Sequence, residues 1–194
     1  DEGFGGANAS VEIEPETLSD LEIITGTFNA EYGKAMSGVV NQITKDGDNF
    51  FESNFSINQS NYLTQNNSIF PGINKFDLNL NQDYKFQISG PIIKDMLTFF
   101  ANFRSQDNLN HLNGYHYFNV TDSSDFSQDE PTDWYSEHSG TNDIVPMNYS
   151  INTSLFLKLT LKPLSKYKIS FIASDNNDEW HSYDHAYKYN PYGM

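Results

Sequence analysis

From residue 51 onward the chain alternates apolar and polar positions with a period of two. In the stretch 51–59, Phe51, Phe55 and Ile57 alternate with Glu52, Asn54, Ser56 and Asn58. In 76–89, Phe76, Leu78, Leu80, Tyr84, Phe86 and Ile88 alternate with Asp77, Asn79, Asn81, Asp83, Lys85, Gln87 and Ser89. Leu97, Phe99, Ala101 and Phe103 form a third apolar set, Leu155, Leu157, Leu159 and Leu161 a fourth, and Ile169, Phe171 and Ala173 a fifth. Strict alternation is the signature of a strand with two unlike faces, so five antiparallel strands are predicted. The connections alternate too: a long one (60–75), a turn (90–96), a very long one (106–149) and a turn (163–167). Short turns on one side and long loops on the other mark an outer-membrane barrel more than a soluble meander. Segments of 9 or more residues also suit a tilted membrane crossing of roughly 9–11 residues. Tyr84, Phe86, Phe99 and Phe100 are expected at an interfacial aromatic girdle.

The first 47 residues read differently. A lead-in rich in Gly, Ala and Ser precedes a short strand (Val11–Glu14), a proline-started helical turn (Glu16–Asp20) and a second strand (Leu21–Thr25). A helical turn over Ala30–Ser37 and a buried strand over Val39–Lys45, with Val39, Val40 and Ile43 inside, complete a small α+β unit. Asp46 and Gly47 supply the turn that ends it. The expected division is therefore 1–47 and 48–194.

Charge and composition narrow the function. A net charge of -15 and a pI near 4.4 exclude the basic footprint of a nucleic-acid binder. The absence of cysteine rules out disulfides and thiolate metal sites. A mean hydropathy of -0.60 without a long apolar run excludes a membrane-spanning helix but not a barrel, in which only every second residue meets lipid. The chain opens on DEGFGG and closes on NPYGM, and is read as an internal piece of a longer protein.

The segment LSDLEIITGTFNAEYGKAMSGVVNQITK (18–45) resembles the end of the plug domain of TonB-dependent outer-membrane receptors. It is most similar to the subgroup in which a carboxypeptidase-regulatory-like domain precedes the plug, and ISGPIIKDMLTFFANF (88–103) is similar to the hairpin joining the second and third barrel strands. The resemblance implies a transmembrane antiparallel β-barrel, of which about five strands are present, preceded by the C-terminal part of an α+β plug. The plug motif falls on Glu31, Tyr32, Gly33, Ser37, Gly38 and Asn41. The resemblance further implies import of a scarce nutrient into the periplasm, with the inner-membrane TonB complex, outer-membrane lipid and the nutrient as partners. The TonB-contacting segment would lie upstream. Relatives carry iron chelates, cobalamin, oligosaccharides or peptides. Many have a basic residue and a proline where Thr25 and Thr27 stand here, so the resemblance implies no plug-to-barrel ion pair based on that cation in this chain.

Outside the motif, the 106–149 segment carries acidic residues, including Asp122, Asp125 and Asp129, and no lysine or arginine. It reads as a solvated acidic loop in preference to a calcium site, because EF-hand spacing and its glycine are missing. Negative charge there would steer a cationic or metal-chelate ligand. His181 and His185 have the spacing of a helical metal pair but no third ligand. Asp122, Asp125, Asp129, Trp134, Trp180, His181 and Tyr183 are candidates for a ligand-facing loop, the alternative being an ordinary loop at the membrane interface. No nucleophile, phosphate-binding loop or carboxylate dyad is present, so no enzyme activity and no cofactor are expected. The competing reading is a soluble or surface-anchored β-rich binding module, an adhesin or carbohydrate binder, whose apolar strand faces meet another sheet.

Overall fold

The computed structural model describes residues 14–24, 39–164 and 166–194. Among these the fold is β-structure joined by turns and short 3-10 segments, without an α-helix. Strands β1 (Leu18–Ile24) and β2 (Val39–Thr44) pair antiparallel as a ribbon, with Ile23 opposite Val40 and a bulge between Leu18 and Asp20. The long strands are β3 (Glu52–Ser60), β4 (Asn81–Ile93), β5 (Leu97–Asn108), β10 (Tyr149–Leu164) and β11 (Tyr167–His181). Between β5 and β10 lie β6 (Asn113–Tyr115), β7 (Ser124–Asp125), β8 (Tyr135–Ser136) and β9 (Ile144–Pro146). The five long strands form one sheet in the order β11-β10-β5-β4-β3. Each lies beside its sequence neighbours among the long strands, as the alternation predicted.

Several boundaries moved, each for a local reason. β4 starts at Asn81 instead of residue 76, because Asp77 draws the chain into a turn. Its side chain accepts from the Asn79 amide at 2.9 Å and its carbonyl from the Leu80 amide at 3.2 Å, the usual Asx behaviour. The following turn is confined to 94–96. Asp95 takes φ 60° there, and its amide donates to the Asn49 side chain at 2.8 Å. Gly90 and Pro91 belong to β4: a Cβ on Gly90 would sit 2.4 Å from the Phe51 ring, so glycine makes room for that ring. β11 runs on to His181, well past Ala173. Pro15–Thr17 is a 3-10 turn that leads directly into β1, so the helical turn expected over Glu16–Asp20 is replaced by strand. Residues 11–13 and the helical turn expected over Ala30–Ser37 lie outside the described residues.

The contacts divide the chain into two compact units. The first comprises Asp1–Ser56, Lys85–Arg104 and Thr153–Asn177. Its sheet is inverted relative to that of a water-soluble protein, whose one-sided sheet turns apolar residues inward. β5 buries Thr98, Phe100 and Asn102, and β10 buries Ser154, Phe156, Lys158 and Thr160. The exposed face carries Phe55, Phe103, Leu155, Ile169 and Phe171, the last two 61% and 62% exposed. Phe100 is thus no girdle residue. It meets Phe156 edge-on at 6.0 Å on the covered side. The ribbon also departs from expectation, because Val40 and Ile43 are about half exposed. Two strands alone bury neither of their faces.

The second unit comprises Ile57–Tyr84, Ser105–Asn152 and Asp178–Met194. The segment 106–149 is structured, with β6 pairing β9 and β7 pairing β8, both antiparallel. Ile73, Leu80 and Met147 form its buried apolar core. Gly114 is required because a Cβ there would lie 2.4 Å from the Met147 sulfur and 2.5 Å from the Lys188 carbonyl. The C-terminal segment is held by the Tyr115 amide donating to Lys188 O at 2.7 Å and the Phe118 amide to Tyr189 O at 2.9 Å.

Candidate functional site

In the first unit the covered, polar face of the sheet is an electrostatic socket. Of the chain's 11 basic residues, Lys85, Arg104, Lys158 and Lys168 are ion-paired there with Glu14, Glu16 and Asp46. Arg104 Nη1 lies 2.9 Å from Glu14 Oε2, whose other oxygen accepts from Ser154 Oγ at 3.3 Å. Lys85 pairs with Glu16, and Gln87 Nε2 donates to the Glu16 carbonyl at 3.1 Å. Lys158 is the most enclosed cation, its side chain 7% exposed. Its ammonium reaches Asp46 Oδ1 at 2.9 Å, Thr44 O at 3.0 Å and Thr44 Oγ1 at 2.8 Å, so its three donors are all satisfied.

These contacts decide protonation. Partial burial would raise the Asp46 pKa, but hydrogen bonds from Lys168, Lys158 and Thr160 outweigh it and bring it from 3.8 to about 2. Burial likewise opposes, and the Lys85 hydrogen bond overcomes, the tendency of Glu16, which ends below its ordinary value. Carboxylates held ionised in this way are anchors; they are poorly suited to give or take protons near neutrality. The exit of the ribbon is also sterically fixed. Gly47 is buried, and a Cβ there would lie 2.1 Å from the Phe99 carbonyl oxygen. A polar cleft of about 520 Å³, lined by Ser19, Lys45, Glu52, Asn54, Gln87 and Phe100 among others, opens beside the socket.

The expected ligand-facing residues fall in two places in the second unit. The β7–β8 hairpin carries Phe126 and Trp134, whose rings meet edge-on at 5.8 Å, and Trp134 Nε1 donates to Gln128 O at 3.0 Å. Asp122 accepts from the Ser139 hydroxyl and the Ser139 and Asn119 amides, and Asp125 from the Ser127 hydroxyl and amide. The bonds from Ser139 and from Ser127 are the first cause holding the respective carboxyls below their usual range. These two aspartates spend their oxygens on their own loop. Asp129 is exposed at the hairpin tip.

His181 and Trp180 lie at the end of β11. His181 stacks on Tyr149 at 5.4 Å with Nδ1 2.9 Å from Met147 O, while Trp180 is 72% exposed. Tyr183 OH lies 2.8 Å from His185 Nδ1. The two histidines stand on a strand and in a 3-10 turn, so the helical pair suggested by their spacing is not formed. Among the described residues no group of three or more His, Asp or Glu side chains is arranged to hold a metal. Of the plug-motif positions, Asn41 lies in β2, its amide 3.5 Å from Glu22 Oε2. Glu31, Tyr32, Gly33, Ser37 and Gly38 lie outside the described residues, as do Thr25 and Thr27.

A stretch of 106 residues, half of this chain, is 33% identical to the TonB-dependent transporter Oar of Myxococcus xanthus. The chain is similar to part of a TonB-dependent transporter. The match covers 10% of that protein, so the chain spans about a tenth of the relative's length. No family model matches the chain, and no solved structure does either.

The socket was missed in the sequence. The plug resemblance points to a cation at position 25, whereas the socket has the opposite polarity, with carboxylates on the ribbon side facing cations on the strands. The available signal was the register. Lys85, Arg104, Lys158 and Lys168 all occupy the polar phase of their strands, in a chain with few cations to spare.

Proposed function

We propose that this chain is part of a TonB-dependent outer-membrane receptor, covering the end of its plug (to residue 47) and the first strands of its barrel wall. The whole protein would bind a scarce nutrient outside the cell and pass it to the periplasm, using energy delivered through TonB. The observation that carries this reading is the inverted sheet. Thr98, Asn102, Ser154, Lys158 and Thr160 are covered, with Phe100 and Phe156 beside them, while Phe55, Phe103, Leu155, Ile169 and Phe171 are exposed, an order that suits lipid on one side and a filled, polar lumen on the other. The ribbon seated in the charged socket fits a plug segment held against the wall by pairs that can be remade without hydrophobic rearrangement. Partial identity to a TonB-dependent transporter supports the same family link. No covalent chemistry is assigned to the chain.

The test uses the full-length protein in its own membrane, with single cysteines added to a sequence that has none. Asp129→Cys, in the long loop, is expected to react with a membrane-impermeant maleimide on intact cells. Lys94→Cys, in the tight turn, should react only after the outer membrane is opened. Equal labelling of both on intact cells would sink the receptor reading and favour a surface-anchored binding module.

A further inference from the structure

The β7–β8 hairpin holds an exposed aromatic ledge, distinct from the ion-pair socket, which nothing above employs. Phe126 is 58% and Trp134 50% exposed. Both are nonetheless fixed: they touch edge-on, the indole N–H is tied to Gln128 O, and the chain between them is stiffened by a 3-10 turn over Pro131–Asp133. Large aromatic side chains held in place in water present contact area at little entropic cost. The ledge is bordered by Asp129, Glu130 and Asp133, all exposed. Unlike Asp122 and Asp125, these three carboxylates accept no hydrogen bond among the described residues.

The charge of the surroundings selects the occupant. No lysine or arginine lies between Arg104 and Lys158 in the sequence, so the hairpin has no cation of its own to neutralise it. Aromatic faces attract cations. The planar guanidinium also stacks on rings while forking to carboxylates, which an ammonium cannot do. We propose that the Phe126–Trp134 ledge docks an arginine-bearing peptide segment of another molecule, with guanidinium stacked on Trp134 and paired to Asp129, Glu130 or Asp133. This assignment stands whether or not the long strands cross a membrane.

The test titrates full-length protein, in nanodiscs of zwitterionic lipid, with fluorescein-labelled hexa-arginine, using hexa-lysine and hexa-glutamate as comparison peptides. Saturable binding of hexa-arginine is expected, tighter than hexa-lysine, with hexa-glutamate silent. Trp134→Leu should weaken it about 10-fold, the scale of one desolvated cation–π contact, and Trp134→Phe should restore part of that loss. The triple variant Asp129→Asn/Glu130→Gln/Asp133→Asn should remove most of the salt dependence. Absence of hexa-arginine binding overturns the proposal. So does equal binding of hexa-lysine with no effect of Trp134→Leu and Trp134→Phe, which would mean diffuse attraction to an acidic loop.

Discussion

Replacing Asp46 by asparagine tests the socket where it is most enclosed. The shift of its carboxyl from 3.8 to about 2 corresponds to about 2 kcal/mol in favour of the ionised form. Its side chain is 29% exposed, and solvent screening trims the figure to about 1–2 kcal/mol. From the other partner, the substitution leaves the Lys158 ammonium, 7% exposed, with Thr44 and a neutral amide oxygen but no counter-charge. Breaking a fully buried pair costs about 3–5 kcal/mol, and the retained Thr44 contacts with the half-wet aspartate lower this to about 2 kcal/mol. Both routes arrive near the same value. The readout is hydrogen exchange of the Lys45 amide, which donates to Thr17 O at 2.7 Å, in the full-length protein. About 2 kcal/mol predicts roughly 30-fold faster exchange. The double variant Asp46→Asn/Lys158→Met should lie nearer wild type than Asp46→Asn, because no charge is then left buried. The pH dependence has a definite sign. A folded-state pKa below the unfolded one gives stability that is fully present above about 4 and lost as pH falls towards about 2. Corrected for intrinsic rates, wild-type protection should therefore be flat from neutrality to about pH 4 and decline below it. A change under about 3-fold in Asp46→Asn, or a double variant worse than the single, would refute this account of the socket.

Leu155→Lys, on the exposed face of β10, should lower the folded, membrane-inserted fraction by about 2–4 kcal/mol if that face meets the lipid midplane. On a water-facing surface the same change stays within about 0.5 kcal/mol, so a quantitative refolding titration into bilayers separates the two. Gly47→Ala drives a methyl against the Phe99 backbone and should cost about 2–3 kcal/mol, read as loss of exchange protection at residues 44–47. Gly114→Ala displaces Met147 and the Lys188 carbonyl. It should loosen the C-terminal segment, seen as faster exchange at Tyr115 and Phe118, with the ribbon unaffected.

How far the sequence could be read depended on the scale of the feature. Alternation at 151–161 located β10 to within a few residues because each pair of neighbours reports the same two faces. The 174–181 stretch, SDNNDEWH, has no apolar phase. It became strand only because β10 runs beside it, with Tyr149 OH donating to Glu179 Oε1 at 3.0 Å. At 76–80 the alternation was accidental: local hydrogen bonding by Asp77 won over strand propensity. The socket was beyond pattern reading. Its partners lie far apart, Glu16 and Lys85 by 69 residues and Glu14 and Arg104 by 90, and periodicity gives a residue's face but not what will be opposite it. Trp134 and Asp129 were picked out for their type, while the division of the loop carboxylates into occupied and unoccupied ones needed the folded hairpin.

The inverted sheet has a consequence for the chain before it folds. Along the long strands its apolar residues come in runs of no more than three, so a nascent chain offers no continuous greasy window, and its mean hydropathy remains at -0.60. No stretch here is long and apolar enough to be read as a membrane-spanning helix. The apolar face is created by folding itself, as pairing brings side chains of separate strands, such as Phe103, Leu155 and Ile169, into one surface. The unfolded polypeptide is polar on average and the folded sheet carries an apolar face, with no change in a single residue.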